Sequence, residues 1–231
     1  MKNSQGLSII IPSLNEKDNL FKLIDYIKNF NLPKYEIIVV EGGTDFQIKN
    51  NFKSHREVKV INYDKGRAKQ LNKGAKVAKF DWLYFLHSDC LPPKNFKEII
   101  YKSMNNKNQA SCFKLKFNPS NFLLSLSAKA TKYNNIFCRG GDQSLLIHKN
   151  LFFLCDGYDE EYKVCEDINL IKKIYKLGEF KIMEGYIITD SRRFLKNGTL
   201  ILLIHFGIIH LLHYLKFNPK FLYSYYRLFI K

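Results

Sequence analysis

The chain has 231 residues and a mass of 27.2 kDa, enough for one substantial core and too little for two independent full-sized domains. With 46% hydrophobic and 15% aromatic residues, its composition excludes a disordered chain. Lys+Arg 37 against Asp+Glu 21 give a formal net charge of +16, a field that draws phosphorylated substrates, nucleic acid and anionic headgroups alike. The lysines are scattered rather than gathered into a basic run, so no nucleic-acid partner is expected. Cys90, Cys112, Cys138, Cys155 and Cys165 show neither a CxxC pair nor zinc-finger spacing, and residues 1–6 are polar without a signal-peptide pattern. Both features predict a reducing, cytoplasmic setting.

In chain order, Leu7 to Ile11 and Ile37 to Val40 are apolar runs of the kind that become buried parallel strands. Between them Leu20, Leu23, Ile24 and Ile27 stand at helical spacing, which predicts a strand–helix–strand unit. A third strand is expected at Val58 to Ile61, a helix at Ala68 to Ala78 and a fourth strand at Trp82 to Leu86. Further on the pattern predicts a helix at Pro93 to Met104, strands near Cys112 to Phe117 and Ser144 to Ile147, a helix at Glu166 to Leu177 and a strand at Phe180 to Ile188. The alternation predicts an α/β fold with a doubly wound sheet. Leu200 to Leu215 reads as a strongly apolar helix. With the Tyr-rich stretch after Pro219 it gives a C-terminal helical tail, residues 196–231, core-packed or membrane-peripheral, after a domain of residues 1–195.

In such sheets ligands bind beyond the carboxyl ends of the strands, and there this sequence is polar. Glu41 and Asp45 flank two glycines after the second strand, where carboxylates accept bonds from a ribose or a base; the same residues also suit a plain turn. Asp89, two residues after His87, can hold a divalent cation against two phosphates. Arg67 and Lys69 open a helix whose N-terminus adds unpaired N–H groups for a diphosphate. Glu166-Asp167 opens another helix, where acids either answer the helix dipole or act as a general base. Asp142 follows two glycines and is suited to a sugar hydroxyl. Arg192-Arg193-Phe194 offers phosphate contacts and an aromatic platform.

Taken together, Ile10-Ile11-Pro12-Ser13-Leu14-Asn15-Glu16, Val39-Val40-Glu41-Gly42-Gly43, Gly66-Arg67-Ala68 through Gly74-Ala75, Phe85-Leu86-His87-Ser88-Asp89, Gly141-Asp142-Gln143, Glu166-Asp167 and Ser191-Arg192-Arg193-Phe194 occur in an order that resembles family 2 glycosyltransferases, in particular a compact bacterial subgroup. The resemblance implies a GT-A fold with a mixed, mostly parallel sheet flanked by helices. It also implies a nucleoside-diphosphate sugar donor, Mg²⁺ or Mn²⁺, and inversion at the anomeric carbon. By position, Pro12, Asn15, Glu16, Glu41 and Asp45 would line the nucleoside pocket and Arg67 and Arg193 would approach the diphosphate. Asp89 would bind metal, and Asp167, beside Glu166, would be the base. Three residues depart from the family pattern: His87 replaces the first acid of its DxD motif, Glu41 replaces Asp, and Phe194 replaces Trp.

The alternatives are a nucleotidyltransferase, which would want a Gly-rich basic loop where this chain has Pro12-Ser13-Leu14-Asn15-Glu16, and a non-catalytic nucleotide-sugar or membrane-binding protein using the positive charge. Leu200 to Leu215 is short for a membrane span and is interrupted by His205, His210 and His213. It is expected either to pack into the core or to lie on the inner face of the cell membrane, where it would suit a lipid-linked acceptor.

Overall fold

The computed structural model describes residues 5–43, 52, 55–105 and 109–230. Strand β1 (Leu7–Ser13) runs through the middle of the sheet, and its burial along nearly the whole length explains why the run carries no polar alternation. Leu7, Ile9 and Ile11 enter the core on one face of the sheet, while Ile10 enters a second core on the other. This is the two-residue period of a strand acting on a sheet covered on both sides. Each such isoleucine contributes about 1.5–3 kcal/mol when fully buried.

Helix α1 (Lys17–Lys28) buries Leu20, Leu23, Ile24 and Ile27 and leads to β2 (Tyr35–Glu41), which pairs parallel with β1. After β3 (Val58–Asn62), α2 (Arg67–Val77) and β4 (Trp82–Phe85), the chain forms the short β5 (Cys90–Leu91), α3 (Phe96–Met104) and the long β6 (Ala110–Asn118). Helix α4 (Phe122–Ala130) precedes two 3₁₀ turns, Ile136–Cys138 and Gly141–Gln143. They are followed by β7 (Leu145–His148), α5 (Lys149–Leu154), α6 (Glu166–Lys176) and β8 (Phe180–Asp190). The chain continues through α7 (Arg192–Asn197), α8 (Thr199–Tyr214) and α9 (Pro219–Phe229).

The strands join in one eight-stranded sheet of order β3-β2-β1-β4-β7-β6-β8-β5. The first four are parallel, whereas β7 runs antiparallel to β4 with Phe85 opposite Leu145. That reversal positions the site: residues leaving β4 and residues entering β7 share one edge, so His87 meets Gly141 and Asp142 there.

The segment from Gly66 to Ala75 is largely structural. Gln70 Nε2 donates to the carbonyls of Ser13 and Val40, each at 2.7 Å, tying together the ends of β1 and β2. Asn72 donates to the carbonyl of Tyr158 at 2.8 Å and accepts from its N–H at 3.0 Å, which fastens the loop before α6. A Cβ at Gly74 would stand 2.4 Å from Ile10 Cγ2. Close packing of α2 on β1 therefore accounts for this glycine without any ligand.

Residue 195 falls inside α7, and the segment from residue 196 to 230 packs against the rest of the chain. Leu202 and Ile209 of α8 and Ile230 belong to the same core cluster as Ile9 and Leu23. Buried His213 of α8 bridges to α6 through Lys172 Nζ at 3.2 Å and Asn169 Oδ1 at 3.0 Å. The ammonium donates to Nδ1 and Nε2–H donates to the amide oxygen, which fixes a neutral ring. Burial, with Lys172 and His210 adding to it, lowers the His213 pKa to about 4. No helix among the described residues is long and apolar enough to cross a membrane.

Candidate active site

Arg67 at the start of α2, His87 after β4, Gly140-Gly141 before β7, Tyr158, and Glu166-Asp167 at the start of α6 line one cleft at the carboxyl edge of the sheet. Tyr158 packs edge-on to Phe85 at 5.2 Å and closes the floor. The loop before α6 gave no sign of this role in the sequence. The only available signal was Asn72, whose side chain holds Tyr158 in place.

Glu166 is buried and pairs with Arg67, Oε1 to Nη1 at 3.2 Å, so one acid of the pair holds the arginine across the cleft. Half of the Arg67 side chain stays exposed to the cleft. Burial opposes its charge, but Glu166, Asp142, Asp167 and Asp89 together raise its pKa, and it stays protonated. The Asp167 carboxyl is pushed up to about 6 by burial and by the neighbouring charge of Glu166, against the pull of Arg67 and His87. Cys165 caps the helix in the left-handed conformation at φ 61° and sets the angle at which both acids enter.

His87 Nδ1 donates to Asp142 Oδ1 at 3.2 Å. Burial acts to raise the half-exposed Asp142 carboxyl, but the bond and charge of His87, with Arg67 and Arg193, carry it below its ordinary value. A Cβ at Gly141 would lie 2.9 Å from His87 Cε1 and 3.1 Å from Asp167 Oδ2. This glycine keeps open the gap between imidazole and carboxylate.

His87, Cys90 and Asp142 each bring one potential metal-ligand atom within 4.8 Å of the others. Asp89, exposed, touches this trio through Cys90, whose Sγ lies 3.5 Å from its Oδ1. Burial, with Asp142 and Asp89, holds the Cys90 thiol well above its usual range, so it stays protonated. The imidazole of His87 and the carboxylate of Asp142, with Asp89 adjacent through Cys90, are donor types that suit a divalent cation.

Other expected residues take different places. Glu41 is fully buried: it accepts from Ser13 Oγ–H at 2.6 Å, from Gly43 N–H at 2.8 Å and from Asn15 N–H at 3.1 Å. Rather than reaching outward, it organises the loops after β1 and β2. Pro12 sits at the end of β1, Asn15 adopts φ 56°, and exposed Glu16 accepts from Ser88 Oγ–H, joining the loops after β1 and β4. Asp45 lies outside the described residues. Lys69 pairs with Asp64 at 3.3 Å and not with the cleft. Phe194 is no exposed platform: it is buried, edge-on to Phe117 at 5.2 Å and against Phe206. Arg193 stacks over the Tyr226 ring of α9 at 4.9 Å and feels the charges of Arg67, Asp142 and Asp89, so it stands at the mouth of the site.

The same architecture recurs in solved glycosyltransferases. A mannosyltransferase from Pyrobaculum calidifontis in complex with GDP-Man and Mn²⁺ is similar with a TM-score of 0.64 and 16% identity, covering 81% of this chain and 57% of that one. S. aureus TarS in complex with UDP is similar with a TM-score of 0.66 and 20% identity, covering 80% and 60%. These likenesses define the fold as GT-A, a mixed α/β sheet flanked by helices. The sequence model of "Glycosyl transferase family 2" matches residues 8–158, and the chain belongs to that family. An "Uncharacterized glycosyltransferase" of Haemophilus influenzae is 24% identical over 186 residues, 75% of this chain and 63% of that protein. The chain spans about three fifths of the length of these relatives.

Proposed function

We propose that this chain moves a sugar from a nucleoside-diphosphate sugar to an acceptor hydroxyl, with inversion, using Asp167 as the general base. The observation that carries this reading is the Asp167 carboxyl, raised to about 6 in a cleft that also holds Arg67 and His87. A base with a pKa near the working pH is ionised in most molecules and still basic enough to accept a hydroxyl proton. The ligands in complex with the similar enzymes, the sugar nucleotide GDP-Man and the nucleoside diphosphate UDP, support a nucleotide-sugar donor here.

In this mechanism Asp167 takes the acceptor's proton as its oxygen attacks the anomeric carbon from the face opposite the leaving group. The diphosphate departs toward Arg67, kept charged and oriented by Glu166, with Arg193 at the mouth. Asp142 is placed for a sugar hydroxyl or, with Asp89 and His87, for a divalent cation. When bound, such a cation would neutralise charge on the diphosphate. Most of the acceleration comes from positioning and charge stabilisation.

Screening UDP-, GDP- and dTDP-sugars for thermal stabilisation and for hydrolysis, with Mn²⁺, Mg²⁺ or EDTA, tests the reading. One donor is expected to raise the melting temperature and to be turned over only with metal, and Asp89→Ala is expected to remove the metal dependence. No turnover of any donor overturns the reading, and equal affinity in EDTA and Mn²⁺ overturns the metal site.

A further inference from the structure

Helix α8 buries Leu202 and Ile209 against the core, and its opposite face is apolar as well. Leu200, Ile204, Gly207, Leu211 and Tyr214 are all exposed and recur at helical spacing, making one continuous stripe along the helix. The stripe extends sideways. Asn121, the cap of α4, donates to Thr199 Oγ1 at 2.7 Å, and Phe137 packs against Tyr214 with centroids 6.2 Å apart. Those contacts align α8 with a second set of exposed apolar side chains, Phe122 at 79%, Leu126 at 58% and Phe137 at 71% exposure. Ordinary solvated helices do not place large apolar side chains outward in register on neighbouring elements.

The charge around this face has one sign. Residues 191–231 contain no Asp or Glu, and neither do residues 99–141. Exposed Lys196 and Lys216 lie just beyond the two ends of α8, and exposed Lys129 and Lys132 lie at the end of α4. A self-complementary dimer through this face would set these lysines against their own copies with no carboxylate from either segment between them. An anionic bilayer surface meets both requirements, since its headgroups pair with the cations and its acyl boundary takes the apolar stripe.

We propose that the α4–α8 face docks on anionic lipid bilayers, with α8 lying in the plane of the interface. The 16-residue helix is about 24 Å long, short of the roughly 30 Å needed to span. This proposal is independent of the sugar-transfer reading.

Co-sedimentation of the full chain with vesicles of phosphatidylcholine, alone or mixed with phosphatidylglycerol, tests it. The protein is expected to pellet with the mixed vesicles at low salt, to be released as salt rises, and to ignore pure phosphatidylcholine. Ile204→Glu with Leu211→Glu, and separately Phe122→Ser with Leu126→Ser, are expected to weaken binding at least about tenfold with unchanged melting temperature. Lys196→Glu with Lys216→Glu is expected to lower it by a similar factor. Failure to pellet with phosphatidylglycerol overturns the proposal, as does equal binding to pure phosphatidylcholine or binding that survives both apolar pairs of substitutions. A dimer seen by analytical ultracentrifugation and broken by Ile204→Glu with Leu211→Glu would assign the face to a second copy instead.

Discussion

The end of β2 and the first turn of α6 both bring a carboxylate to the same edge of the sheet, and the two carboxylates are treated in opposite ways. Glu41 has a hydroxyl and two backbone N–H groups directed at it and is shielded from solvent. Asp167 has a second carboxylate beside it and a burial cost only partly answered by Arg67 and His87. The contrast separates a residue whose charge is answered by the loops it ties together from one left with an unanswered burial cost, although both stand at the ends of elements at the same edge.

The largest effect expected from this contrast is on turnover. Asp167→Asn should lower sugar transfer by at least about 100-fold while donor binding, measured by titration, stays near wild type. Near-wild-type turnover would move the base to Asp142 or Glu166. Glu41→Ala should show the reverse pattern, costing about 2–4 kcal/mol of folding stability in a urea titration by leaving buried donors unanswered. A loss below about 0.5 kcal/mol would mean that the loops hold without it.

The smallest effect concerns the stability of the Asp167→Asn protein. The carboxyl is raised from 3.8 to about 6 on folding, so the folded state favours the protonated form, and the stability this gives at low pH is lost as pH rises through about 6. Removing the charge should therefore stabilise the protein by about 1–3 kcal/mol above pH 7, with the advantage fading between about pH 6 and 4. Paired melting curves across that range check the sign. Substrate turnover in the wild type should rise through the same pH window and then level off, because the base works only when ionised.

Much of this was legible in the sequence. Unbroken apolar runs marked β1, β2 and β4 because a strand covered on both faces needs no polar alternation, and the ordered motifs located the cleft edge. What the residues could not declare was where their polar groups point. Gln70 and Asn72 lie in the segment from Gly66 to Ala75 that resembles the family motif, and their amides are used to fasten β1, β2 and the Tyr158 loop. Phe194 follows an arginine pair as a stacking residue would, yet its side chain turns into the core between Phe117 and Phe206. The second helix of the C-terminal segment starts at Asn218 and Pro219, an ordinary helix start in which the Asn218 side chain accepts from Phe221 N–H.

The His213 bridge gives the molecule an acid-sensitive joint. Its folded pKa of about 4 lies below the ordinary 6.5, so the neutral ring contributes stability that is fully present above pH 6.5 and is lost as pH falls through about 4. Protonation would place a cation against Lys172 and remove the acceptor that Nδ1 supplies, loosening α8 from α6. Asp167 sits on the first turn of that same α6, where acid has the opposite sign. One helix therefore carries a proton-favoured end at the cleft and a proton-intolerant contact farther along, so acidification shifts strain from the cleft end toward the seam that holds α8 in place.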